Sequence, residues 1–336
     1  MKVLITGGVG FIGTNAAHHF ASIGYQVTIV DDFSRQGVEL NAAFIKRSYP
    51  NIEIVHSDVC QIENYLEHLK TCQVVLHLAG QTAVTTSLQN PEHDFQVNAR
   101  GTFLLLDALR KFNQKAIIIY SSTNKVYGDL SHHQIELDEK QKMYFNTTCP
   151  DGVDESEQLR FLSPYGCSKG AADQYVLDYN HSFGLKTVVF RQSCIYGEHQ
   201  IGVEDQGWLA FFSTQFLRHL PITIYGDGFQ VRDLLYVGDL IVAYQLAIDK
   251  IDQISGEVFN IGGGSTNAFS LLNIIDRLAQ IYGYSVPINY SKPRVADQKY
   301  FVSNNNKINE KISWSTQTTV ADGLKRLVDW QQQNLV

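Results

Sequence analysis

The stretch Lys2-Val-Leu-Ile-Thr-Gly-Gly-Val-Gly-Phe-Ile-Gly13 decides the fold. Its aliphatic start predicts a buried strand, and the residues after Gly10 begin an amphipathic helix over Phe11–Ile23. Together with Gly7 and Gly13, Gly10 gives a Gly-x-x-Gly-x-x-Gly spacing, in which the absent Cβ atoms allow a tight turn and a close approach of the backbone to an anion. The first N–H groups of the helix have no partner within the helix and face that anion. Strand, turn and helix in this order predict a site for a dinucleotide pyrophosphate.

The alternation of apolar strand and helix continues through the first half of the chain. The predicted strands are short apolar runs bounded by turn residues or charge: Val3–Ile5, Gln26–Val30, Ile52–His56, Val74–Leu78, Ala116–Tyr120 and Thr187–Phe190. Near-continuous apolar strands that alternate with helices are typical of a parallel sheet covered on both faces. The sequence therefore predicts an α/β fold, a doubly wound parallel (Rossmann-type) sheet accompanied by a smaller α/β substrate-binding domain.

The order of strands and helices along the chain also predicts the boundaries between the domains. We expect the domain of the large sheet to comprise residues 1–192 plus 233–262, and the smaller domain to comprise 193–232 plus 263–336. A polar, turn-rich stretch from Leu130 to Leu162 interrupts the pattern. A connection of this length predicts either a functional lid or a disordered segment.

Composition excludes several classes of protein. The 336 residues carry 27 Lys and Arg against 34 Asp and Glu, so no basic excess points to nucleic acid or to an anionic membrane. No apolar run approaches the roughly 18 residues of a membrane span, and a strand occupies the place of a signal peptide. The five cysteines are scattered and form no CxxC pair. We therefore expect free thiols in a cytoplasmic protein and no metal site.

An acidic pair after the second strand specifies the dinucleotide. Asp31 and Asp32 follow Gly13 by 18 and 19 residues. A carboxylate at this position accepts hydrogen bonds from the ribose hydroxyls and repels a 2′-phosphate, which favours NAD over NADP. Arg35 favours NADP instead, because a guanidinium can accommodate a 2′-phosphate. The prediction is NAD.

A second spacing carries the chemistry. Tyr165-Gly-Cys-Ser-Lys169 places a phenol and an ammonium four residues apart on one face of a helix. A lysine cation is expected to lower the pKa of the phenol, so that Tyr165 removes a proton from a secondary alcohol beside an oxidised nicotinamide. Thr123, at the end of the fifth strand, is expected to share the substrate hydroxyl. The predicted catalytic residues are Thr123, Tyr165 and Lys169.

These motifs together resemble one known superfamily. The glycine turn, Ser121-Ser-Thr-Asn-Lys-Val-Tyr-Gly128 and Tyr165–Lys169 are similar to those of the extended short-chain dehydrogenases/reductases, the nucleotide-sugar epimerases and dehydratases. The resemblance continues through Arg191–Gly197, Gly226–Asp233, Phe259–Gly264 and Pro293–Asp297. It implies that the domain of residues 1–192 plus 233–262 holds NAD tightly and that the domain of residues 193–232 plus 263–336 binds a nucleotide-sugar substrate. It also implies a homodimer, or a higher homo-oligomer, formed through the helices near 164–182 and 97–112.

The resemblance also implies which residues bind the cofactor. We expect them in the glycine turn, at the carboxyl ends of the strands and around the catalytic pair: Gly7, Gly10, Phe11, Ile12, Gly13, Asp31, Asp32, Ser34, Arg35, Asp58, Val59, Leu78, Ala79, Gln81, Asn98, Ser121, Tyr165, Lys169 and Gln192.

Within the superfamily, one departure separates epimerases from dehydratases. Dehydratases usually carry Thr-Asp-Glu where this chain has Thr123-Asn124-Lys125, so the acid and base for water elimination are missing. Ser163–Tyr175 and Asp205–Trp208 resemble the epimerases that invert C2 of a CDP-dideoxyhexose. The implied reaction passes through a transient 2-keto sugar, with the hydride returned from bound NADH. A UDP- or GDP-sugar 4-epimerase and a non-catalytic NAD-binding sensor or scaffold remain alternatives.

The substrate-binding residues implied by the resemblance are Thr123, Lys125, Gln206, Arg232 and Arg294. The two guanidinium groups match the oxygens of a diphosphate, although a surface ion pair is the alternative for each. Cys194 stands where many members of the superfamily have asparagine. A thiol cannot replace the hydrogen bonds of an amide.

Overall fold

The computed structural model describes residues 1–294 and 297–335. Its strands are β1 (Lys2–Thr6), β2 (Gln26–Asp31), β3 (Glu53–His56), β4 (Val74–His77), β5 (Ile117–Thr123), β6 (Ile135–Asp138), β7 (Met143–Asn146), β8 (Lys186–Gln192), β9 (Cys194–Tyr196), β10 (Ile222–Tyr225), β11 (Val231–Tyr236), β12 (Glu257–Ile261), β13 (Ala268–Ser270), β14 (Ile288–Ser291) and β15 (Tyr300–Phe301). Its α-helices are α1 (Phe11–Ser22), α2 (Val38–Ser48), α3 (Leu66–Thr71), α4 (Val84–Gln89), α5 (Pro91–Phe95), α6 (Gly101–Phe112), α7 (Ser163–Phe183), α8 (Trp208–Leu217), α9 (Val237–Asp249), α10 (Ile251–Ile254), α11 (Leu271–Tyr282), α12 (Asn306–Ile312) and α13 (Val320–Asn334).

Seven strands form one parallel sheet in the order β12-β8-β5-β4-β1-β2-β3. Successive residues of β1 point to opposite faces, and both faces are buried: Val3 and Ile5 belong to one apolar core, and Leu4 to the other. This explains why the strands are apolar throughout and do not alternate with polar residues. The predicted fold class, a doubly wound Rossmann-type sheet, is confirmed.

The later part of the chain builds smaller sheets beside the large one. β11 pairs with β13, β15 and β9, and β10 pairs with β14. The strand that returns to the large sheet is β12, which lies next to β8 at its edge. The predicted boundaries between the two domains stay a prediction.

The stretch 130–162 is ordered structure, contrary to one of the two expectations for it. β6 and β7 form an antiparallel hairpin, and its partly buried residues Ile135, Met143 and Tyr144 pack against Val231 and Tyr300. The chain then pairs at Val153 with Ser303. Strands of four residues without clean polar–apolar alternation give little sequence signal, which is why the hairpin was not predicted.

Candidate active site

The glycine turn is as tight as its spacing predicts. Gly7 has φ +70°, and a Cβ there would lie 2.8 Å from the backbone nitrogen of Ala79. A Cβ on Gly13 would overlap the carbonyl oxygen of Gly7. Three backbone segments therefore meet in a space that no side chain could enter, and α1 begins directly behind them. These residues fit a pyrophosphate at the N-terminus of α1.

A cavity of about 500 Å³ opens at the carboxyl ends of the strands, beside this turn. Its walls include the following expected cofactor residues: Gly7, Gly10, Phe11, Ile12, Gly13, Asp31, Asp32, Ser34, Arg35, Asp58, Val59, Leu78, Ala79, Gln81 and Ser121. Four others, Asn98, Tyr165, Lys169 and Gln192, lie outside its walls. The amide of Gln192 instead donates a hydrogen bond to the hydroxyl of Tyr244 at 2.6 Å.

The two aspartates after β2 have different partners. Asp31 accepts hydrogen bonds from the backbone N–H groups of Val9, at 3.1 Å, and Phe33, at 3.0 Å. Asp32 accepts from the backbone and hydroxyl of Ser34, at 3.0 and 2.7 Å. Asp31 thus braces the glycine turn as well as lining the cavity, and burial raises its pKa. A bracing role for this carboxylate was not part of the sequence-based prediction.

One wall of the cavity comes mostly from residues that were not predicted to bind the cofactor or the substrate. The segment from His199 to Gln206 contributes Ile201, Val203 and Asp205 to it, together with the predicted substrate residue Gln206. The amide of Asn41 on α2 donates to the carbonyl of His199 at 3.2 Å, which holds the segment against the large sheet. The sequence contains no local signal for this contact, because its partners lie 158 residues apart.

The predicted catalytic residues lie on two neighbouring elements. Thr123 ends β5, and its hydroxyl caps a 3-10 turn over Asn124–Tyr127 by accepting from the backbone of Lys125 at 3.3 Å. Tyr165 and Lys169 lie one turn apart near the start of α7. The side chain of Thr123 lies near the phenol of Tyr165 and acts to lower its pKa. The ammonium of Lys169 donates to the carbonyl of Ser121.

The protonation of the Tyr165 phenol differs from the prediction. Burial raises its pKa to about 12, while the side chain of Thr123 and the charge of Arg35 act in the lowering direction. Burial also lowers the pKa of Lys169 to about 8. The net pKa of the phenol is therefore raised, where a lowered one was expected, because the loss of water on burial outweighs the nearby charges.

On the substrate side, two cations share one carboxylate. Arg232 donates to Oδ1 of Asp297 at 2.6 Å, and the ammonium of Lys125 lies 3.6 Å from the same oxygen. Lys125 also donates to Oε1 of Gln298 at 3.1 Å, and burial lowers its pKa to about 8. Burial raises the pKa of the nearby Cys194 thiol to about 12, so the thiol is neutral at physiological pH. The structure thus brings Lys125 and Arg232 together and adds Asp297 and Gln298 to them.

Arg294 lies at the segment that walls the cavity. Its guanidinium donates to the carbonyl of Glu204 at 2.8 Å, lies 3.2 Å from Asp205 and stacks on the ring of Tyr225 at 4.3 Å. The two residues that Arg294 contacts, Glu204 and Asp205, directly precede Gln206 in the sequence. Two residues of the predicted motif Pro293–Asp297, at 295 and 296, lie outside the described residues. Contact of Arg232 and Arg294 with a diphosphate stays a prediction.

A group of potential metal ligands lies outside the cleft. Glu157 accepts hydrogen bonds from His132 and His133, at 3.0 and 2.9 Å. The amide oxygen of Asn146 accepts from backbone N–H groups of residues 148 and 149, so its NH₂ donates to Nδ1 of His133. Nε2 of His133 is then the protonated nitrogen, which does not bind a metal. The hydrogen bonds explain the group without an ion.

No helix among residues 1–294 and 297–335 combines the length and the apolar character that crossing a membrane requires.

Comparison with known proteins identifies the family. Residues 3–262 match the model of the NAD dependent epimerase/dehydratase family. The chain is 43% identical to CDP-paratose 2-epimerase of Salmonella typhi, over 98% of this chain and 99% of the relative. It is 30% identical to a putative UDP-glucose 4-epimerase of Methanocaldococcus jannaschii, over 99% of each chain.

Solved structures agree with the sequence relatives. The UDP-glucose 4-epimerase of Thermotoga maritima, solved with UDP-glucose, superposes with a TM-score of 0.85 at 29% identity over 100% of both chains. The UDP-glucuronic acid 4-epimerase of Bacillus cereus, in complex with UDP-glucuronic acid and NAD, gives 0.85 at 28% identity over 99% of both. The predicted superfamily, the cofactor NAD and the enzyme class are thereby confirmed. The chain belongs to the NAD dependent epimerase/dehydratase family, and it is an epimerase.

Proposed function

We propose that the protein interconverts CDP-paratose and CDP-tyvelose by inverting C2 of the sugar. The observation that carries this proposal is the 43% identity to a CDP-paratose 2-epimerase along essentially the whole of both chains. Asn124 and Lys125 support it, because they stand where a dehydratase would need an acid and a base. By the same relationship, the product would supply O-antigen synthesis for lipopolysaccharide.

The catalytic residues are proposed to act on the same hydroxyl group of the sugar. Tyr165 takes the proton from the 2-hydroxyl of the sugar, and Thr123 holds the oxygen of that hydroxyl in place. When bound, NAD would supply a positive charge that favours ionisation of the phenol, and the capacity to accept a hydride from C2 and to return it to the opposite face of the sugar. Tyr165 then gives the proton back to the oxygen, so no net oxidation or proton release occurs. Lys169 supplies a fixed positive charge on the same face of α7.

Inversion requires that the sugar turn while the nucleotide stays bound. We propose that Arg232 and Arg294 hold the nucleotide, since a guanidinium pairs with two oxygens of a diphosphate. Both now bind carboxylates, Arg232 that of Asp297 and Arg294 that of Asp205. A diphosphate would compete with these carboxylates for the same donors. Gln206 and Lys125 are proposed to contact the substrate beside them.

The experiment incubates the NAD-bound protein with CDP-paratose and, separately, with UDP- and GDP-sugars. NMR then reports which carbon inverts. We expect inversion at C2 of the CDP-sugar with no net NADH formed. Inversion at C4 of a UDP- or GDP-sugar with an inert C2 would replace the proposal by a 4-epimerase, the activity named for several relatives. If no sugar is turned over, the proposal is replaced by the alternative of a non-catalytic NAD-binding protein.

A homodimer is proposed as the working form. The neighbouring helices α6 and α7 expose several large apolar side chains: Phe103, Phe112, Tyr175 and Phe183. Phe103 and Tyr175 pack edge to face with ring centres 5.8 Å apart. Exposed apolar side chains grouped in one place are typical of an interface between subunits. Light scattering should give twice the mass of one chain, and Phe103→Asp combined with Tyr175→Asp should halve it.

The cytoplasm is the proposed location. All five cysteines are free thiols, and Cys72 is buried. Free thiols are typical of proteins kept in a reducing compartment. Fractionation of cells that express the protein tests this location.

A further inference from the structure

Asp94, in α5, is a buried carboxylate behind the catalytic helix. Its side chain has 0% exposure. The hydroxyl of Ser168, which lies between Tyr165 and Lys169 on α7, donates to Oδ2 of Asp94. The amide of Asn98 donates to Oδ1 at 3.2 Å. Both partners offer hydrogens, so Asp94 acts as an acceptor only, which suits its ionised form.

A widened helical turn creates this arrangement. Residues Gln96–Arg100 form a π-turn between α5 and α6, and this turn places Asn98 on the same side as Asp94. The Asn98 amide also lies 3.1 Å from the hydroxyl of Ser168 and 3.1 Å from the carbonyl of Gln81 in the cavity wall. Single π-turns inside helices are frequent at functional sites. The network therefore connects the cofactor cavity to the turn of α7 that carries the catalytic pair.

Several charged or titratable groups surround the ammonium of Lys169. Asp94 lies on α5, Asp173 on α7, His77 on β4 and Tyr120 on β5. Asp94 itself is also acted on by the neighbouring His93, and its charge acts on the phenol of Tyr165. Asp173 is already bound by the guanidinium of Arg191 through two contacts of 2.9 and 3.0 Å. Within residues 1–294 and 297–335, Asp94 has no ion-pair partner within 4.0 Å, so its charge is balanced chiefly by Lys169.

We propose that Asp94 is a positioning residue of the catalytic pair, whose charge keeps Lys169 an ammonium and whose bond to Ser168 fixes the first turns of α7. The inference rests on the proposed function, in which Tyr165 and Lys169 carry the epimerisation. Burial raises the pKa of Asp94, and the hydroxyl of Ser168 and the charge of Lys169 act against that change. The pKa direction of Lys169 agrees with the proposal. Burial lowers the pKa of Lys169, and Asp173 and Asp94 oppose that change.

The test replaces Asp94 by Asn, which keeps the shape and removes the charge. Loss of a nearby anion destabilises the ammonium of Lys169 and favours the phenolate of Tyr165, so both pKa values fall. We expect both limbs of the pH–rate profile to move to lower pH by about one unit. A merely structural role would lower kcat and leave both limbs in place. Asp252→Asn, at an exposed ion pair with Lys186, is the matched control and should leave the profile unchanged.

A second measurement needs no substrate. Ultraviolet absorbance of tyrosinate in the NAD-bound protein is titrated against pH, and subtraction of the Tyr165→Phe titration isolates the Tyr165 phenol. We expect its pKa to fall by about one unit in Asp94→Asn. A wild-type protein that is inert on CDP-paratose, combined with this shift, would remove the proposed substrate and keep the role of Asp94.

Two further variants complete the test. Asp94→Ser is smaller and also neutral, and it should shift the titration in the same direction. Ser168→Ala keeps the charge of Asp94 but removes one of its hydrogen bonds, so kcat should fall while the limbs stay in place. An unshifted titration in both neutral variants, or loss of folded protein in both, would overturn the assignment.

Discussion

Arg232 donates a hydrogen bond to Oδ1 of Asp297 at 2.6 Å, in a position where it is also proposed to bind a diphosphate. If Arg232 binds the diphosphate as proposed, the carboxylate and the ligand would compete for one guanidinium. Lys125, 3.6 Å from the same oxygen, would add a second cation to the competition. Asp297 would then stabilise the two cations in the free protein and weaken their attraction for a nucleotide.

This competition predicts opposite effects of Asp297→Asn on stability and on binding. Without the carboxylate, Arg232 and Lys125 repel each other, so the melting temperature of the free protein should fall. The same two cations should bind CDP more tightly by roughly fivefold, which corresponds to about 1 kcal/mol. Thermal unfolding and calorimetric titration with CDP measure the two effects. An unchanged affinity for CDP would show that Arg232 does not contact the diphosphate.

Removal of the phenolic hydroxyl should abolish the chemistry and leave the cofactor in place. We expect Tyr165→Phe to lower kcat by about 10²–10⁴-fold, because a positioned base contributes that much. NAD that copurifies with the variant, measured by mass spectrometry, should match the wild type. Tyr290→Phe, at an exposed residue of β14, is the control and should retain activity. Wild-type turnover by Tyr165→Phe would exclude this residue as the base.

Lys125, which is half-buried, and Lys169, which is buried, have similar pKa values and can be separated by the pH dependence of kcat. Burial lowers the pKa of both Lys125 and Lys169 to about 8, so each ammonium loses its proton as pH rises through this value. If the charge of Lys169 is required, kcat should fall above about pH 8 in the wild type. The alkaline limb should persist in Lys125→Gln, and Lys169→Gln should be nearly inactive at every pH. Disappearance of the limb in Lys125→Gln would transfer it to that residue.

The glycine turn predicts a selective loss of cofactor. Gly7→Ala places a methyl group 2.8 Å from the backbone of Ala79 at φ +70°, so the turn must open. We expect NAD affinity to fall by at least about tenfold, measured by calorimetry on protein freed of nucleotide. Gly24→Ala is a matched control, because Gly24 also has a positive φ, +85°, but nothing lies within 4 Å of its added Cβ. Similar losses of NAD affinity in both variants would attribute the effect to backbone strain alone.

Local patterns made the large sheet and the glycine turn predictable from the sequence. The apolar strands, the glycine spacing and the acidic pair after β2 are each recognisable from a few consecutive residues. The strands form the large sheet, and the glycine turn and the acidic pair lie together at its carboxyl end. The β6–β7 hairpin was missed because its apolar partners, such as Val231, come from a distant part of the chain. Asp94 was missed for the same reason: its bond to Ser168 spans 74 residues.

The pKa of Tyr165 shows a different limit of prediction from the sequence. A spacing of four residues correctly places Tyr165 and Lys169 on one helix. It says nothing about how much water remains around the phenol. Burial is a property of the whole fold, and here it outweighs the nearby charges.

The segment that walls the cavity has a consequence for metabolism. His199 is bound by Asn41 of α2, and Glu204 is bound by Arg294 from the far end of the chain. The segment is therefore held on both sides, next to the cavity in which the dinucleotide is proposed to bind. If the cofactor stays in that cavity, the proposed mechanism returns its hydride at every turnover to the sugar that supplied it. The reaction should then proceed at the same rate in cells with a high or a low NAD/NADH ratio.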